Sequence, residues 1–484
     1  MAILALIPAL FAVYFALVRS PQFAFFNVYL PALLLFPDYY RWVAPGLPDP
    51  TANQAAVLAV FIVFLVRGSP GYRFTPFDLV VYGLAGVIAY SEYRASGYND
   101  AQNLMFAMLT SVVIPYVLAK SLVEPLGGRV AFAKKIVVCL FIVAIICLYE
   151  SRFGVNPWQK IFGPFFPGQG LGWIITFRWG LARTAGPYGH AILAGIMMVT
   201  GYRIQRWLEW SGAWTEPRHP WFKWLPWPKL TEAQMYTLGM LGGALITLVK
   251  GPWVAGVIAA VVVFIGRMRN RWIGVGILLV FLFGICLPIF IGFLQWAGVG
   301  RQNAKTENQE TAAYRLELIT NYMDIAKEQA TWGWGLTKWP KVPGQPSIDN
   351  YYLLLFLMHG QIALALFLTI LLGMIVRLIR HAMSQPNPQP LGSSLAFTLA
   401  GVYVCYLISV ATVYMGNQTV ALLFLVTGWA EGYLHSGREQ TLETAPVAEA
   451  PAPLYRFRRI LSWGPARSAK PVGPAPATTR SQRH

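Results

Sequence analysis

The residues best able to do chemistry in this chain sit in a polar island, 295–350, between long apolar runs. The island interleaves Arg301, Lys305, Arg315, Lys338 and Lys341 with Glu307, Glu310, Glu317 and Asp349. Cationic groups of this kind hold an anionic head group, and a carboxylate beside them can move a proton. Two smaller clusters precede the island. The stretch FRWGLARTAGPYGHAILAG places Arg178, Arg183 and His190 at the mouth of an apolar run, where Gly186, Pro187 and Gly189 mark a break or a helix start. Arg offers paired N–H donors at a fixed geometry that suits diphosphate oxygens. The ordinary alternative is an interfacial anchor. In LVKGPWVAG, Lys250 occupies a very short turn between two apolar runs, and its alternative role is to snorkel to the lipid head groups.

Within the island, AAYRLELITNYMDIAKEQ carries apolar residues at helical spacing, either Leu316, Ile319, Met323 and Ala326 or Leu318, Tyr322 and Ile325. The spacing predicts an amphipathic helix over the membrane domain, with Arg315 near its start. WGWGLTKWP and PGQPS read as loop. Asp349 and Asn350 close that loop just before the next apolar run. A carboxylate at a membrane entrance resists desolvation, which fits it to take up a proton as a general base. Helix capping is the competing role for Asp349, and both can hold. His359, inside the next apolar run, reads as a satisfied core residue.

The elements that must position these groups follow from composition. Of the 484 residues, 56% are hydrophobic and 12% charged, and the mean hydropathy is +0.50. Soluble domains carry about 25% charged residues. Half that content, spread over the whole length, defines an all-α polytopic membrane protein. Apolar runs at 2–18, 22–36, 54–66, 77–93, 102–121, 133–150, 187–206, 234–249, 252–268, 272–294, 351–376, 394–414 and 418–434 predict about 11 to 13 spans. Basic residues cluster at 120–135, at Arg267, Arg269 and Arg271, and at Arg377, Arg380 and His381. The three clusters alternate correctly with the helices if all are cytoplasmic. That choice places 151–186, the Lys250 turn and the 295–350 loop on the periplasmic side of a bacterial inner membrane.

Residues 1–436 read as one membrane domain, and 437–484 as a disordered, basic, Ala/Pro-rich cytoplasmic tail. Within the tail, LYRFRRILSW could lie on anionic lipid as a short basic helix. The Trp- and Pro-rich stretch 207–230 reads as a cytoplasmic loop on the membrane surface. The first apolar run lacks a basic n-region and a cleavage site, and reads as a membrane segment. Cys139, Cys147, Cys286 and Cys405 all lie in apolar runs and read as small core residues. The net charge of +18 fits the positive-inside bias and contact with anionic lipids; no basic, aromatic-interleaved module points to nucleic acid. The sequence holds no GxxxxGK[ST], HExxH or GxSxG motif and no Cys/His ligand cluster. No cofactor is expected. Energy must come from an activated substrate or an ion gradient.

In order and spacing, these segments resemble the O-antigen ligase and O-antigen polymerase superfamily. ARTAGPYGHAILAG matches an Arg followed by a Gly/Pro helix start. LVKGPWVAG matches a hairpin turn of the type S-R-G-x-W. YRLELITNYMDIAKEQATWGWG matches an Arg-led helix with a Gly-x-Gly turn. SIDNYYLLLFLMHGQIALALF matches a His-Asn or Asp-Asn pair before an apolar helix. The resemblance covers about 180–380. It implies a GT-C-type membrane glycosyltransferase with a glycan on undecaprenyl diphosphate as donor, needing neither nucleotide sugar nor metal. By motif position it implies Arg183, Lys250 and Arg315 as diphosphate contacts; Arg178, Arg301 and Lys338 join them by location. Asp349 would be the base and Arg315 a second catalytic group. Two departures stand out: Lys250 replaces the usual Arg and loses bidentate geometry, and Asp349 stands where ligases typically carry His. The second tilts the reading toward a polymerase of an exopolysaccharide or O-antigen. A ligase acting on lipid A-core is the alternative, and a transporter or flippase of lipid-linked sugars is a third. Beyond the lipid-linked glycan and anionic lipids, a chain-length regulator or export proteins are the partners this reading would add.

Overall fold

A computed structural model describes residues 2–43, 45–214, 230–268, 270–345, 347–384 and 394–436. The tail expected to be disordered, its basic segment, Arg269, and Trp221, Trp224 and Trp227 of the surface loop lie outside these residues. All thirteen apolar runs are helical. The helices are α1 Ala2–Val18, α2 Pro21–Leu35, α3 Ala52–Val66, α4 Pro76–Ser96, α5 Tyr98–Leu122, α6 Arg129–Phe153, the short α7 Pro157–Phe162, α8 Ala191–Trp210, α9 Glu232–Ile246, α10 Lys250–Arg267, α11 Arg271–Ala297, α12 Glu307–Glu328, α13 Tyr351–Ser384, α14 Leu395–Thr412 and α15 Asn417–Ser436. A two-stranded hairpin, β1 Phe177–Arg178 and β2 Leu181–Ala182, interrupts them. Among the described residues, six helices are long and apolar enough to cross a bilayer: α5, α6, α10, α11, α13 and α14. Helices α1 to α3 are apolar but shorter.

The core combines Ala with Leu, Val, Ile and aromatic side chains, while Leu10, Val66, Val280 and Phe264 are well exposed. Large apolar residues facing outward on this scale belong in hydrocarbon, and the chain is an all-α, multi-pass membrane protein. Three helices widen into single π-turns at Phe25–Tyr29, Leu109–Val113 and Leu282–Cys286. Pro31, Pro115 and Pro288 each follow two residues after the turn. Proline lacks the N–H its helix needs and crowds the carbonyl four residues back, and one wide turn absorbs both effects. Elsewhere packing is tight. Helices α5 and α15 meet where a Cβ at Gly428 would overlap the Tyr116 carbonyl and one at Gly432 would lie 2.8 Å from the Lys120 carbonyl. This is the small-xxx-small logic of helix pairs in lipid.

One end of the bundle holds a buried ionic network. Lys120 Nζ lies 2.6 Å from Asp78 Oδ1, and Thr75 Oγ1 donates to Glu431 Oε1 at 2.8 Å. Arg377 Nη1 donates to Glu431 Oε2 at 2.6 Å. Arg129 pairs with Glu124, which also accepts from Trp429 Nε1. Arg271 Nη1 donates to the Ala382 carbonyl at 2.6 Å. The basic clusters expected on one side of the membrane therefore meet at one end of the molecule. Asp349 stands at the opposite end of α13, with roughly 40 Å of helix between Tyr351 and Arg377.

Candidate functional site

At that opposite end, a cleft of about 660 Å³ is lined by Asp38, Tyr39, Arg41, Trp173, Tyr188, His190, Ser347, Asp349, Tyr414 and Asn417, among others. Four segments far apart in sequence build it, and each is fixed by local chemistry.

The turn that carries Arg183 and His190 is held from below by a carboxylate. Glu150, in the last turn of α6, accepts the backbone N–H groups of Ala185 and Gly186, both at 3.0 Å, and the Asn156 amide at 3.2 Å. His190 then caps α8: its Nδ1 accepts the Ile192 N–H at 3.1 Å. An Nδ1 that accepts leaves the proton of the neutral ring on Nε2. Burial and then the charge of Arg183 push the His190 pKa down to about 4, against the pull of Asp349. The ring is therefore a neutral N–H donor at the cleft wall. The Trp173 ring packs against it, with centroids 5.0 Å apart, and Arg183 lies over the same indole at 5.6 Å.

Arg183 is half-buried. Its backbone N–H donates to the Thr176 carbonyl at 2.9 Å and its Nη1 to Thr176 Oγ1 at 3.2 Å. Its Nε is buried without a hydrogen-bond partner among the described residues. Burial, with Arg178 second, lowers its pKa from the usual guanidinium range. An orphaned guanidinium donor is costly, and an anion would satisfy it. Arg178, on β1, donates from Nη1 to the Leu248 carbonyl at 2.8 Å. That bond ties the hairpin to the turn before α10, so exposed Lys250 stands two residues from the contact. The hairpin itself turns through Trp179 at φ 52° and Gly180 at φ 76°, the two positive φ values of a tight primed turn.

Asp349 enters from the island. Capping of α13 falls to its neighbour: Asn350 Oδ1 accepts the Tyr352 and Leu353 N–H groups at 3.0 and 3.2 Å. The exposed Asp349 side chain is left to the cleft, with Ser347 Oγ donating to its Oδ1 at 3.2 Å. Asp38 enters from the loop after α2 and accepts the backbone N–H groups of Asn417 and Gln418 at the start of α15. Burial raises its pKa to about 6, opposed by those amides and Arg41. The Tyr414 hydroxyl is likewise pushed up, by burial and then by Asp38 and Asp349. Tyr39 adds a buried hydroxyl with no partner among the described residues.

The island positions Asp349 through two devices. Helix α12 packs by Leu318, Tyr322 and Ala326 onto Ile348, Leu353 and Leu357, a face that takes Leu318 and Tyr322 from the second spacing and Ala326 from the first. Tyr322 OH donates to the Gln345 carbonyl at 2.7 Å and accepts the Val342 N–H at 3.0 Å, clamping the loop ahead of Asp349. Helix α13 is broken at Gly360 (φ 78°). The break frees carbonyls inside an apolar region, and the 330–335 turn satisfies them. Trp334 N–H donates to the Leu357 carbonyl at 2.9 Å and Gly335 N–H to that of Met358 at 2.8 Å, while Gln361 N–H reaches Ala330 at 2.7 Å. Helix α4 secures the far side, where Glu92 Oε2 accepts the Leu336 N–H at 2.7 Å. His359 Nδ1 lies 3.2 Å from Ser91 Oγ in the same buried junction, a core role.

The structure thus puts His190 and Asp349 on the cleft wall, with Arg183 against Trp173 of that wall. Arg178 holds the Leu248 carbonyl two residues before Lys250, and Arg178, Arg183 and Lys250 are off the lining itself. It does not bring Arg301, Arg315 or Lys338 to the cleft lining. Arg301 lies over the Tyr314 ring at 5.0 Å and 3.9 Å from Glu310. Lys338 Nζ donates to the Ala95 carbonyl at 2.8 Å. Arg315 is exposed on α12. Sequence reasoning missed Asp38, Arg41, Trp173, Tyr414 and the cradle of Glu150. Glu150 had a signal, a carboxylate closing an apolar run. Asp38 had a weaker one, as one of two carboxylates in the first 77 residues.

A multi-pass helical membrane protein with a broken span and a polar cleft at a helix end, bearing two carboxylates and Arg41, is the class that fold and site define. Residues 235–368, from α9 through the kink of α13, match the O-antigen ligase family model. No curated protein matches the chain.

Proposed function

We propose that this protein polymerises undecaprenyl-diphosphate-linked oligosaccharide repeat units at the cleft, on the periplasmic face of a bacterial inner membrane. The observation that carries the reading is Asp349, released from capping by Asn350 and facing the cleft against the Arg183–Trp173–His190 stack. Arg183, Lys250 and the His190 Nε2–H hold the diphosphate and offset charge as it leaves. The Asp349 carboxylate takes the proton of an acceptor hydroxyl on the next repeat unit. That oxygen bonds to C1 of the donor sugar, the C1–O bond to phosphate breaks, and undecaprenyl diphosphate departs with the electron pair. Displacement from the opposite face inverts C1. On this placement Arg315 is not a diphosphate contact.

A ligase reading is favoured by the matched family itself, since the same cleft could present the lipid-linked glycan to lipid A-core. One assay separates the two. Purified protein receives the lipid-linked repeat unit alone, and products are resolved by gel. A ladder, lost in Arg183→Ala and reduced at least ~100-fold in rate in Asp349→Asn, is the expected result for loss of a general base. Transfer only after lipid A-core is added would make the protein a ligase. An Asp349→Asn ladder of wild-type length and yield would remove the base assignment. Vesicle transport without any new glycosidic bond would replace both readings by a transporter.

A further inference from the structure

A second cavity, of about 470 Å³, lies beside the cleft and has a different chemistry. It is an apolar groove between α1 and α2, walled by Phe11, Phe15, Ala32, Phe36, Tyr40 and Phe166. Its polar groups are two: the Asn27 amide, which donates to the Phe23 carbonyl at 2.9 Å, and the Tyr40 hydroxyl at the seam, buried without a partner among the described residues. The volume falls within the range of about 300–1,000 Å³ that holds small molecules. Along α1 the lining runs from Leu4 to Phe15. That is ~16 Å of helix, about half the ~30 Å hydrocarbon thickness.

Groove and cleft share two walls. In the segment 37–41, Pro37 and Tyr40 line the groove, whereas Asp38, Tyr39 and Arg41 line the cleft. In the segment 162–173, Phe162, Phe165 and Phe166 line the groove, whereas Gly172 and Trp173 line the cleft. The two segments are locked together: Arg41 N–H donates to Gln169 Oε1 at 2.8 Å, Gln169 Nε2 donates back to the Arg41 carbonyl at 3.0 Å, and Tyr40 stacks on Phe166 with centroids 4.8 Å apart. An apolar trough thus continues, across one rigid seam, into a polar cleft that carries Arg41 on its lining and Arg183, with its unpartnered Nε, against its Trp173 wall. The ligand that matches both halves is an amphiphile with an anionic head and a long hydrocarbon chain.

We propose that this groove seats the head-proximal isoprene units of the lipid donor, with its diphosphate in the cleft and the seam 37–41 at the junction. This rests on the donor reading above. The seam also gives Arg41 a role as a further phosphate contact at the chain side of the head group.

The test uses the full chain in nanodiscs of phosphatidylethanolamine and phosphatidylglycerol. The probe is undecaprenyl diphosphate carrying a diazirine on the isoprene unit nearest the diphosphate. After irradiation, adducts are mapped by mass spectrometry. The expected adducts fall on the peptides holding Phe11, Phe15 and 36–40, and excess unlabelled undecaprenyl diphosphate displaces them. Ala32→Trp, which fills the groove, is expected to weaken lipid-diphosphate binding about tenfold, ~1.4 kcal/mol, and to leave binding of inorganic pyrophosphate unchanged. The wild-type adduct map decides the matter even if that variant does not fold. Displaceable adducts on α11 or elsewhere would overturn the groove and leave the donor reading intact. A photoactivatable phosphatidylglycerol that labels the groove equally and resists displacement would also overturn it, as a site for bulk lipid. Failure of both undecaprenyl diphosphate and pyrophosphate to bind would overturn the donor reading, and the groove with it.

Discussion

Asp38 and Asp349 face one cleft from unrelated segments, and their surroundings assign them different work. Asp349 is exposed, with a single serine hydroxyl on it. Asp38 is drawn inward to the first amides of α15, and burial lifts its pKa to about 6. It is therefore largely protonated at pH 5 and ionised at pH 7. A glycosyl diphosphate diester stays dianionic over this range, so repulsion from Asp38 grows as pH rises through about 6. Affinity for the lipid-linked repeat unit, itself such a diester, is expected to fall in the same window by roughly fivefold, the scale of one ~1 kcal/mol charge interaction in a solvated cleft. His190, with its pKa held near 4, stays neutral throughout and does not contribute to that change. Asp38→Asn keeps the acceptor for the α15 amides and removes the charge. Its affinity at pH 7 should match that of the wild type at pH 5, and a titration in which the two proteins run parallel would exclude Asp38 as the source. The sequence displayed Arg183 and Asp349 because each adjoins a local signal, a Gly/Pro break or a loop end. Tyr414 showed none and Asp38 only its rarity as a carboxylate in the first 77 residues, because their position in the cleft depends on how distant segments pack.

Helix α13 shows how an element can be legible in outline and opaque in detail. Its apolar run is plain from hydropathy and α12 from the helical spacing of its apolar residues, and the turn between them reads as loop. Their joint purpose is not plain, because Gly333 and Gly360 are 27 residues apart and act on each other only in the fold. A Cβ on Gly360 would overlap the Thr331 carbonyl, and one on Gly333 the Met358 carbonyl. Each residue also holds positive φ, 72° at Gly333 and 78° at Gly360. Backbone strain alone costs roughly 1–3 kcal/mol in an alanine, and the overlap adds to it. Gly333→Ala and Gly360→Ala are each expected to lower the thermal midpoint in detergent by several degrees. Both should also release the loop before Asp349, seen as faster proteolysis between 336 and 350. Either variant melting with the wild type, its loop still protected, would show that the crossing of turn and kink tolerates a methyl group. The three π-turns were legible in principle, since each announces itself by a proline inside an apolar run; the hairpin 177–182 was not, since its two-residue strands carry no periodicity.

Among the described residues, the buried ion pairs gather at one end of the bundle. Arg129, Lys120, Arg271 and Arg377 converge on Glu124, Asp78, Glu431 and the C-terminal turn of α13. The cleft, the hairpin and the α12 loop occupy the other end. The positive-inside rule predicts that the end where the three basic clusters meet lies in the cytoplasm. The cleft then opens to the opposite face, where a lipid-linked glycan would have to be delivered by a separate translocation step. Two single cysteines on a background freed of native thiols decide the orientation. Ser347→Cys sits at the cleft, and Arg380→Cys is exposed near the C-terminal end of α13. With a membrane-impermeant maleimide on intact spheroplasts, Ser347→Cys is expected to react fully, and Arg380→Cys only after permeabilisation. The reverse pattern would place the cleft in the cytoplasm. A polymer would then have to be exported after assembly, and the donor would be met on the face where it is made, which is incompatible with the proposed reaction outside the cell's nucleotide-sugar supply.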